Sequence, residues 1–326
     1  MEIYILGIDL AKQVFQLHGA DRRGRAVHRA KVSRGSLFEA VRTLAPGVVV
    51  MEACGTAHHW ARRFQSLGIE VRLISPQYVT PFVKTNKSYR NDAEAIVEAA
   101  SRPTMRFVTV KSVEQQDILA AHRMRAILIR HRTALINQKR GLLGERGLTI
   151  SRSPEAFKRA IPELLRTSAD ELTAIEERIH LIDTSIQTFM KHSTLCKKIA
   201  AVPGIGPITA TAVVGAVGNA TQFRNGRHLA AWLGLVPRQY SSGGKSRLQG
   251  ISRRGDTYLR TLLIHGARAI LRYVKVKTDP HSVWLQQMIA RRGHNCTAVA
   301  LANKNARIIQ ALLSGEASYV SPGTTA

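Results

Sequence analysis

An α/β domain followed by a mainly helical remainder is the fold class this sequence predicts, and three observations predict it. Short strand-like runs alternate with helical segments through the first 111 residues; the pattern changes to long helical stretches from about residue 112; strand signals are absent from there to about 190.

Residues 3–9, 14–19 and 25–32 read as three short strands with tight polar turns between them, the second turn carrying Asp21, Arg22, Arg23 and Gly24. They predict an antiparallel meander. A helix over 35–44 precedes the continuous apolar run Val48 to Met51, which reads as a buried strand. A helix over 57–67 is stopped by Gly68, and a strand follows over 69–75. A further helix covers 91–101, and Arg106 to Val110 reads as an edge strand. Three strands, helix, strand, helix, strand, helix is the succession of a ribonuclease H-like fold.

The next segment is helical. Leu172, Ile175, Ile179, Ile182, Ile186 and Phe189 step by three and four, the spacing of a coiled-coil seam. A weaker seam runs through Met124, Leu128, Leu135 and Leu142. An intramolecular helical hairpin and a subunit interface both satisfy this pattern. The last third opens on Val202-Pro203-Gly204-Ile205-Gly206-Pro207 and an Ala-rich helix, the signature of a helix-hairpin-helix element whose backbone N–H groups, at Gly204 and Gly206, can hold a phosphate oxygen. Three segments result: 1–111, 112–194 and 195–320.

Lys and Arg total 48 against 22 Asp and Glu, a formal charge of +26 spread through folded-looking segments, which points to a polyanionic partner and so to nucleic acid. Cys54, Cys196 and Cys296 stand far apart, which argues against a thiolate metal site and a disulfide framework and fits a reducing, cytoplasmic setting. No basic leader and no run of 18 apolar residues occurs, so neither secretion nor membrane insertion is expected.

Two constellations carry chemistry. Asp9 ends the run Ile3 to Ile8 and Glu52 ends the run Val48 to Met51, so on neighbouring strands both carboxylates reach one spot, a setting that suits Mg²⁺. Asp92, at a helix start, supplies a third oxygen, and two such metals would clamp the attacking and leaving oxygens of a phosphodiester. The second is Tyr240-Ser241-Ser242-Gly243-Gly244-Lys245, read as a loop, with Arg247, Arg253 and Arg254 close behind. A serine before two glycines allows close approach of a substrate, and the cations Lys245, Arg247, Arg253 and Arg254 suit a phosphate.

Read together, Gly-Ile-Asp-Leu-Ala-Lys at 7–12, Met-Glu-Ala-Cys-Gly-Thr at 51–56, Asn-Asp-Ala-Glu-Ala-Ile at 91–96, Pro-Gly-Ile-Gly at 203–206 and Ala-Trp-Leu-Gly-Leu-Val-Pro-Arg at 231–238 resemble the insertion-sequence 110 transposase family, which includes the Piv-type DNA invertases. The resemblance implies a RuvC-like domain with an Asp-Glu-Asp-Asp metal site, a helical connector that assembles a homo-oligomer, dimer or tetramer, and a C-terminal transposase domain whose serine attacks DNA. It also implies guidance by a structured bridge RNA. By motif the metal ligands fall on Asp9, Glu52 and Asp92, and the nucleophile on Ser242, with Ser241 its nearest competitor. The acid that the family places three residues before its last Asp is Tyr89 here. A hydrolytic RuvC-like nuclease, in which Ser242 only binds, and a catalytically impaired nucleic-acid-binding relic are the rival readings.

Overall fold

The computed structural model describes residues 2–83, 89–149, 166–243, 245–315 and 318–320. These divide into two compact units, Met1–Ser112 and Val113–Ala326.

In the first unit the strands are β1 (Ile5–Asp9), β2 (Val14–Ala20), β3 (Ala26–Ser33), β4 (Val48–Glu52), β5 (Glu70–Ile74) and β6 (Phe107–Val108). Between them run α1 (Leu37–Leu44), α2 (Ala57–Gln65), the short α3 (Pro76–Val79) and α4 (Tyr89–Ala100). The sheet order is β3-β2-β1-β4-β5-β6; β1, β4 and β5 are parallel, and β2, β3 and β6 run antiparallel to their neighbours. That mixed order is consistent with a ribonuclease H-like domain, and every strand lies within a residue or two of its expected position.

Each face of the sheet buries its own core, because side chains alternate along a strand. Leu6, Ile8, Val49 and Met51 pack with Leu37, Val41, Trp60 and Phe64 of α1 and α2. Ile5, Val48 and Val50 pack on the other face with Ile96, Val97 and Ala100 of α4. Gly7 admits this helix closely: a Cβ there would stand 2.7 Å from the Ala93 carbonyl oxygen and 2.6 Å from Val97 Cγ2. Arg29 of β3 reaches Glu94 at 3.4 Å and ties the same helix to the meander.

The second unit comprises α5 (Val113–Gly144), α6 (Arg166–His192), α7 (Thr194–Ala200), α8 (Pro207–Val217), α9 (Gly226–Trp232), β7 (Pro237–Ser242), β8 (Lys245–Ile251), α10 (Thr257–Leu271) and α11 (Pro280–Ser314), the last kinked at Gly293. Four of these helices start on side-chain caps: Ser193, Asn225, Asp256 and Asp279 accept from the backbone N–H groups of Cys196, His228, Leu259 and Ser282.

The two helical seams resolve into an antiparallel hairpin within the chain. Leu172, Ile175 and Ile179 are buried against Leu135, Ile136 and Leu143, and Arg125 pairs with Asp183 at 2.5 Å. The weaker seam is only partly used: Leu135 is buried, whereas Met124 and Leu142 are exposed. The core of this unit gathers α7 to α11 around α8, from Thr209 to Gly215 an unbroken buried run. Helix α5 joins that core through its own end, since Ile118 and Leu119 press on Gly215.

Candidate functional site

Strand register decides where the acids stand. Ile8 pairs with Met51 in parallel, so Asp9 and Glu52 lie level at the carboxyl ends of adjacent strands. Alternation puts Asp9 on the side of Ile5 and Gly7, and Glu52 on the side of Val48 and Val50, which is the side that α4 covers. Helix α4 starts at Tyr89 rather than 91, so Asp92 is in its first turn and not at its cap. Asp92 directly precedes Ala93, whose carbonyl is the atom that approaches Gly7. The three expected acids therefore occupy one corner of the first unit, and all three are half-buried.

They do not close into a tight cage. Among the described residues no three His, Cys, Asp or Glu side chains are grouped closely enough to hold a metal ion. The donor chemistry nonetheless fits a divalent cation, because oxygen ligands from carboxylates are what such hard ions take. Tyr89 is the first residue of α4, three before Asp92; its side chain lies outside the described residues.

The segment read as a serine loop is an ordered two-stranded ribbon. Tyr240 pairs with Arg247, Ser241 with Ser246 and Ser242 with Lys245, so Ser242 is the last residue of β7, directly before the turn residue Gly243. Gly243 has φ +57°, a left-handed conformation that glycine adopts without steric cost. The described residues of β7 are all exposed, and Tyr240 and Leu248 are 71% and 67% accessible. Gln239 donates to Ser241 Oγ at 2.8 Å. Thus Ser241 is engaged within its own strand, while Ser242 stands at the tip opposite a lysine.

The base of the ribbon is clasped to the preceding motif. Ser252 N–H donates to Val236 O at 2.8 Å, and Arg253 N–H to Gly234 O at 3.2 Å. Arg260 was not singled out from sequence, yet its buried guanidinium donates to the carbonyls of Leu233 and Arg254, both at 3.0 Å, and to Thr257 Oγ1. Its signal was an arginine inside the apolar stripe Leu259, Leu263, Ala267, Leu271. The side chains of Arg253 and Arg254 are exposed beside this clasp, and those of Lys245 and Arg247 are exposed towards the tip of the ribbon.

Gly204 and Gly206 play different parts. Gly204, at φ +84°, lies against α10, where a Cβ would meet the Gly266 carbonyl oxygen at 2.9 Å, so its first duty is packing. Gly206 is exposed at the start of α8 with open space before it. A second residue missed from sequence stands behind this turn. His122 of α5 is buried, with Nδ1 3.0 Å from Tyr258 Oη and Nε2 2.9 Å from Thr211 Oγ1. Thr211 Oγ1 donates to Pro207 O at 2.7 Å, so it accepts from the His122 Nε2–H, and Nδ1 is left to accept from Tyr258. Burial, with Arg125 nearby, lowers the His122 pKa to about 4.

Comparison with known proteins gives two family matches. Residues 196–281 match the family described as "Transposase IS116/IS110/IS902 family", and residues 6–146 match a family described as "Transposase". The chain is 52% identical to the "Probable family 20 transposase" of Pseudomonas aeruginosa, over 98% of this chain and 99% of that one. It is 49% identical to the "Transposase for insertion sequence element IS1111A" of Coxiella burnetii, over 98% and 92%. A more distant relative, at 25% identity over 66% of this chain and 64% of its own, is the "Pilin gene-inverting protein" of Moraxella bovis.

Proposed function

The chain belongs to the IS116/IS110/IS902 family of transposases, and on that premise we propose that it cuts and rejoins DNA with Ser242 as nucleophile and a divalent cation, Mg²⁺, held by Asp9, Glu52 and Asp92. Transposases and invertases bind DNA, and domains of the acidic type matched by residues 6–146 generally use a divalent metal. The observation that carries the proposal is the position of Ser242 at the exposed tip of a basic hairpin, opposite Lys245.

In this reading Ser242 Oγ gives up its proton, attacks phosphorus and forms a phosphoserine ester, while the P–O bond to the 3′ oxygen breaks and that oxygen leaves as a hydroxyl. A 3′ hydroxyl of the exchanged strand then displaces the serine, restoring its proton and the phosphodiester. Lys245, paired with Ser242, and Arg247, two residues further along the ribbon, neutralise the phosphate during both displacements, and Arg253 and Arg254 at the base of the ribbon hold phosphates further along the DNA backbone. When bound, the cation supplies positive charge for the phosphate oxygens; the carboxylates of Asp9, Glu52 and Asp92 hold and orient it. Gly206, open at the start of α8, belongs to a helix-hairpin-helix contact with a phosphate, and Gly204 sets the turn that presents it. A structured bridge RNA guides the reaction, 112–194 assembles a homo-oligomer, and 195–320 carries the serine chemistry.

Trapping covalent protein on DNA tests this directly. Ser242→Ala should abolish the adduct and leave DNA binding nearly unchanged, while Ser241→Ala should retain it. Adducts from Ser242→Ala but not Ser241→Ala would move the nucleophile one residue earlier, and no adduct from the unaltered protein would favour metal-dependent hydrolysis.

A further inference from the structure

A cleft of about 790 Å³ lies in the second unit between the start of α9 and the part of α11 beyond its kink. Arg227 lines it from α9, and Trp284, Lys304 and Arg307 line it from α11. Ala300, Lys304, Arg307 and Ala311 recur at helical spacing, so two small residues flank the two cations and leave the floor open. The walls are anchored from behind, Asn303 donating to Leu235 O at 3.2 Å and Gln310 to Phe223 O at 3.1 Å.

Charge in this cleft is one-sided. No carboxylate is among its lining residues, and among the described residues no ion pair joins Arg227, Lys304 or Arg307 to an acid. Lys304 Nζ instead lies 4.4 Å from the centre of the Trp284 ring, which is stacked at 22° on His281. Three cations converging in a concave site raise one another's energy unless an anion joins them. An aromatic face among cations in a groove is the arrangement that holds a single strand, with phosphates on the cations and a base or sugar on the ring.

We propose that this cleft seats a single strand of DNA: Arg227, Lys304 and Arg307 hold its phosphates, and Trp284 supports a base. A phosphate draws the Lys304 ammonium off the ring and so frees a face for that base. The site is separate from Ser242 and its ribbon, none of whose residues line it. The proposal rests on the reading that the chain acts on DNA, and makes the cleft the hold on a strand away from the point of cleavage.

The test is fluorescence anisotropy of a labelled single-stranded DNA oligonucleotide of mixed sequence, titrated with the full chain from 50 to 200 mM salt. The triple variant Arg227→Gln, Lys304→Gln, Arg307→Gln is compared with Lys197→Gln, Arg272→Gln, Lys275→Gln, an equal loss of charge on exposed residues that do not line the cleft. The cleft variant should lower the slope of log affinity against log salt by about 2, at roughly 0.7 per phosphate, and the control by less than about 1. Trp284→Ala should weaken binding about tenfold or more. Arg307→Gln alone, at an exposed position, should lower the slope by about 0.7 and guards against misfolding of the triple variant. Equal slopes in the two triples, or unchanged affinity in Trp284→Ala, would overturn the proposal. A loss confined to an RNA oligonucleotide of the same length would overturn it in favour of RNA. If the unaltered chain binds no DNA at all, the proposed function itself fails, a result distinct from both.

Discussion

Gly204 and Gly266 touch backbone to backbone: a Cβ built on Gly266 would stand 1.9 Å from the Gly204 carbonyl oxygen. Helix α10 can lie against the turn before α8 only because neither residue has a side chain. Gly266→Ala should therefore force the helix off the turn and cost on the order of 2 kcal/mol or more, the range of overpacked cores. Chemical denaturation measures it; an unchanged midpoint would show that the contact relaxes freely. Gly206→Ala, with open space around it, should fold normally, so a loss of DNA binding there would reflect the turn's contact with phosphate.

His122 and His58 make the fold sensitive to acid. Both have pKa values lowered to about 4, His122 by burial and then Arg125, His58 by burial and then Lys111 and Arg62. His58 Nδ1 also accepts from the Lys111 N–H at 3.2 Å, a bond that only the neutral ring can make. In the unfolded chain each histidine takes its proton near pH 6.5. Stability is thus complete above about 6.5 and falls as pH drops towards 4, because the unfolded state binds protons there that the folded state refuses. The melting temperature of the wild type should decline over that window, and that of His122→Gln should decline less. Parallel profiles for the two would remove His122 as a cause.

Tyr89 stands three residues before Asp92 at the start of α4, so the two share a helix face. Tyr89→Asp should add a carboxylate to the corner shared by Asp9, Glu52 and Asp92, strengthening Mg²⁺ or Mn²⁺ binding by about tenfold or more in calorimetry and raising recombination. Asp9→Asn in the same background should erase the gain. If affinity and activity stay level while Asp9→Asn alone abolishes activity, Tyr89 lies outside the metal's reach.

Ile179 is buried between α6 and α5, where the seam packs within the chain. Ile179→Asp should place a carboxylate without a partner in that layer and cost several kcal/mol. Thermal melting should show the loss, while light scattering should show an unchanged mass. A fall in mass with little change in melting would mean that the seam works between subunits instead.

Local pattern was enough for much of the protein. Alternation and period placed all six strands of the first unit, the helices α1, α2 and α4 and the long hairpin helices, though not the short α3, because burial on one face writes itself into the spacing of apolar residues. The carboxylates were legible for the same reason: Asp9 and Glu52 each end an apolar run, where a strand leaves the core. Tertiary structure alone set the rest. Only the parallel pairing of Ile8 with Met51 puts those acids level and on the side of α4, and such pairing joins segments far apart in sequence. The seam of Leu172 to Phe189 was equally compatible with a partner inside or outside the chain, and only the structure shows its first half, Leu172, Ile175 and Ile179, packed on Leu135, Ile136 and Leu143 of the same chain. The serine segment, rich in small and polar residues, carried no strand signal, since an exposed ribbon needs no apolar face. His122 and Arg260 look like surface residues by composition; they are buried because hydroxyls and carbonyls from other segments satisfy them, and no local pattern records which segments those are.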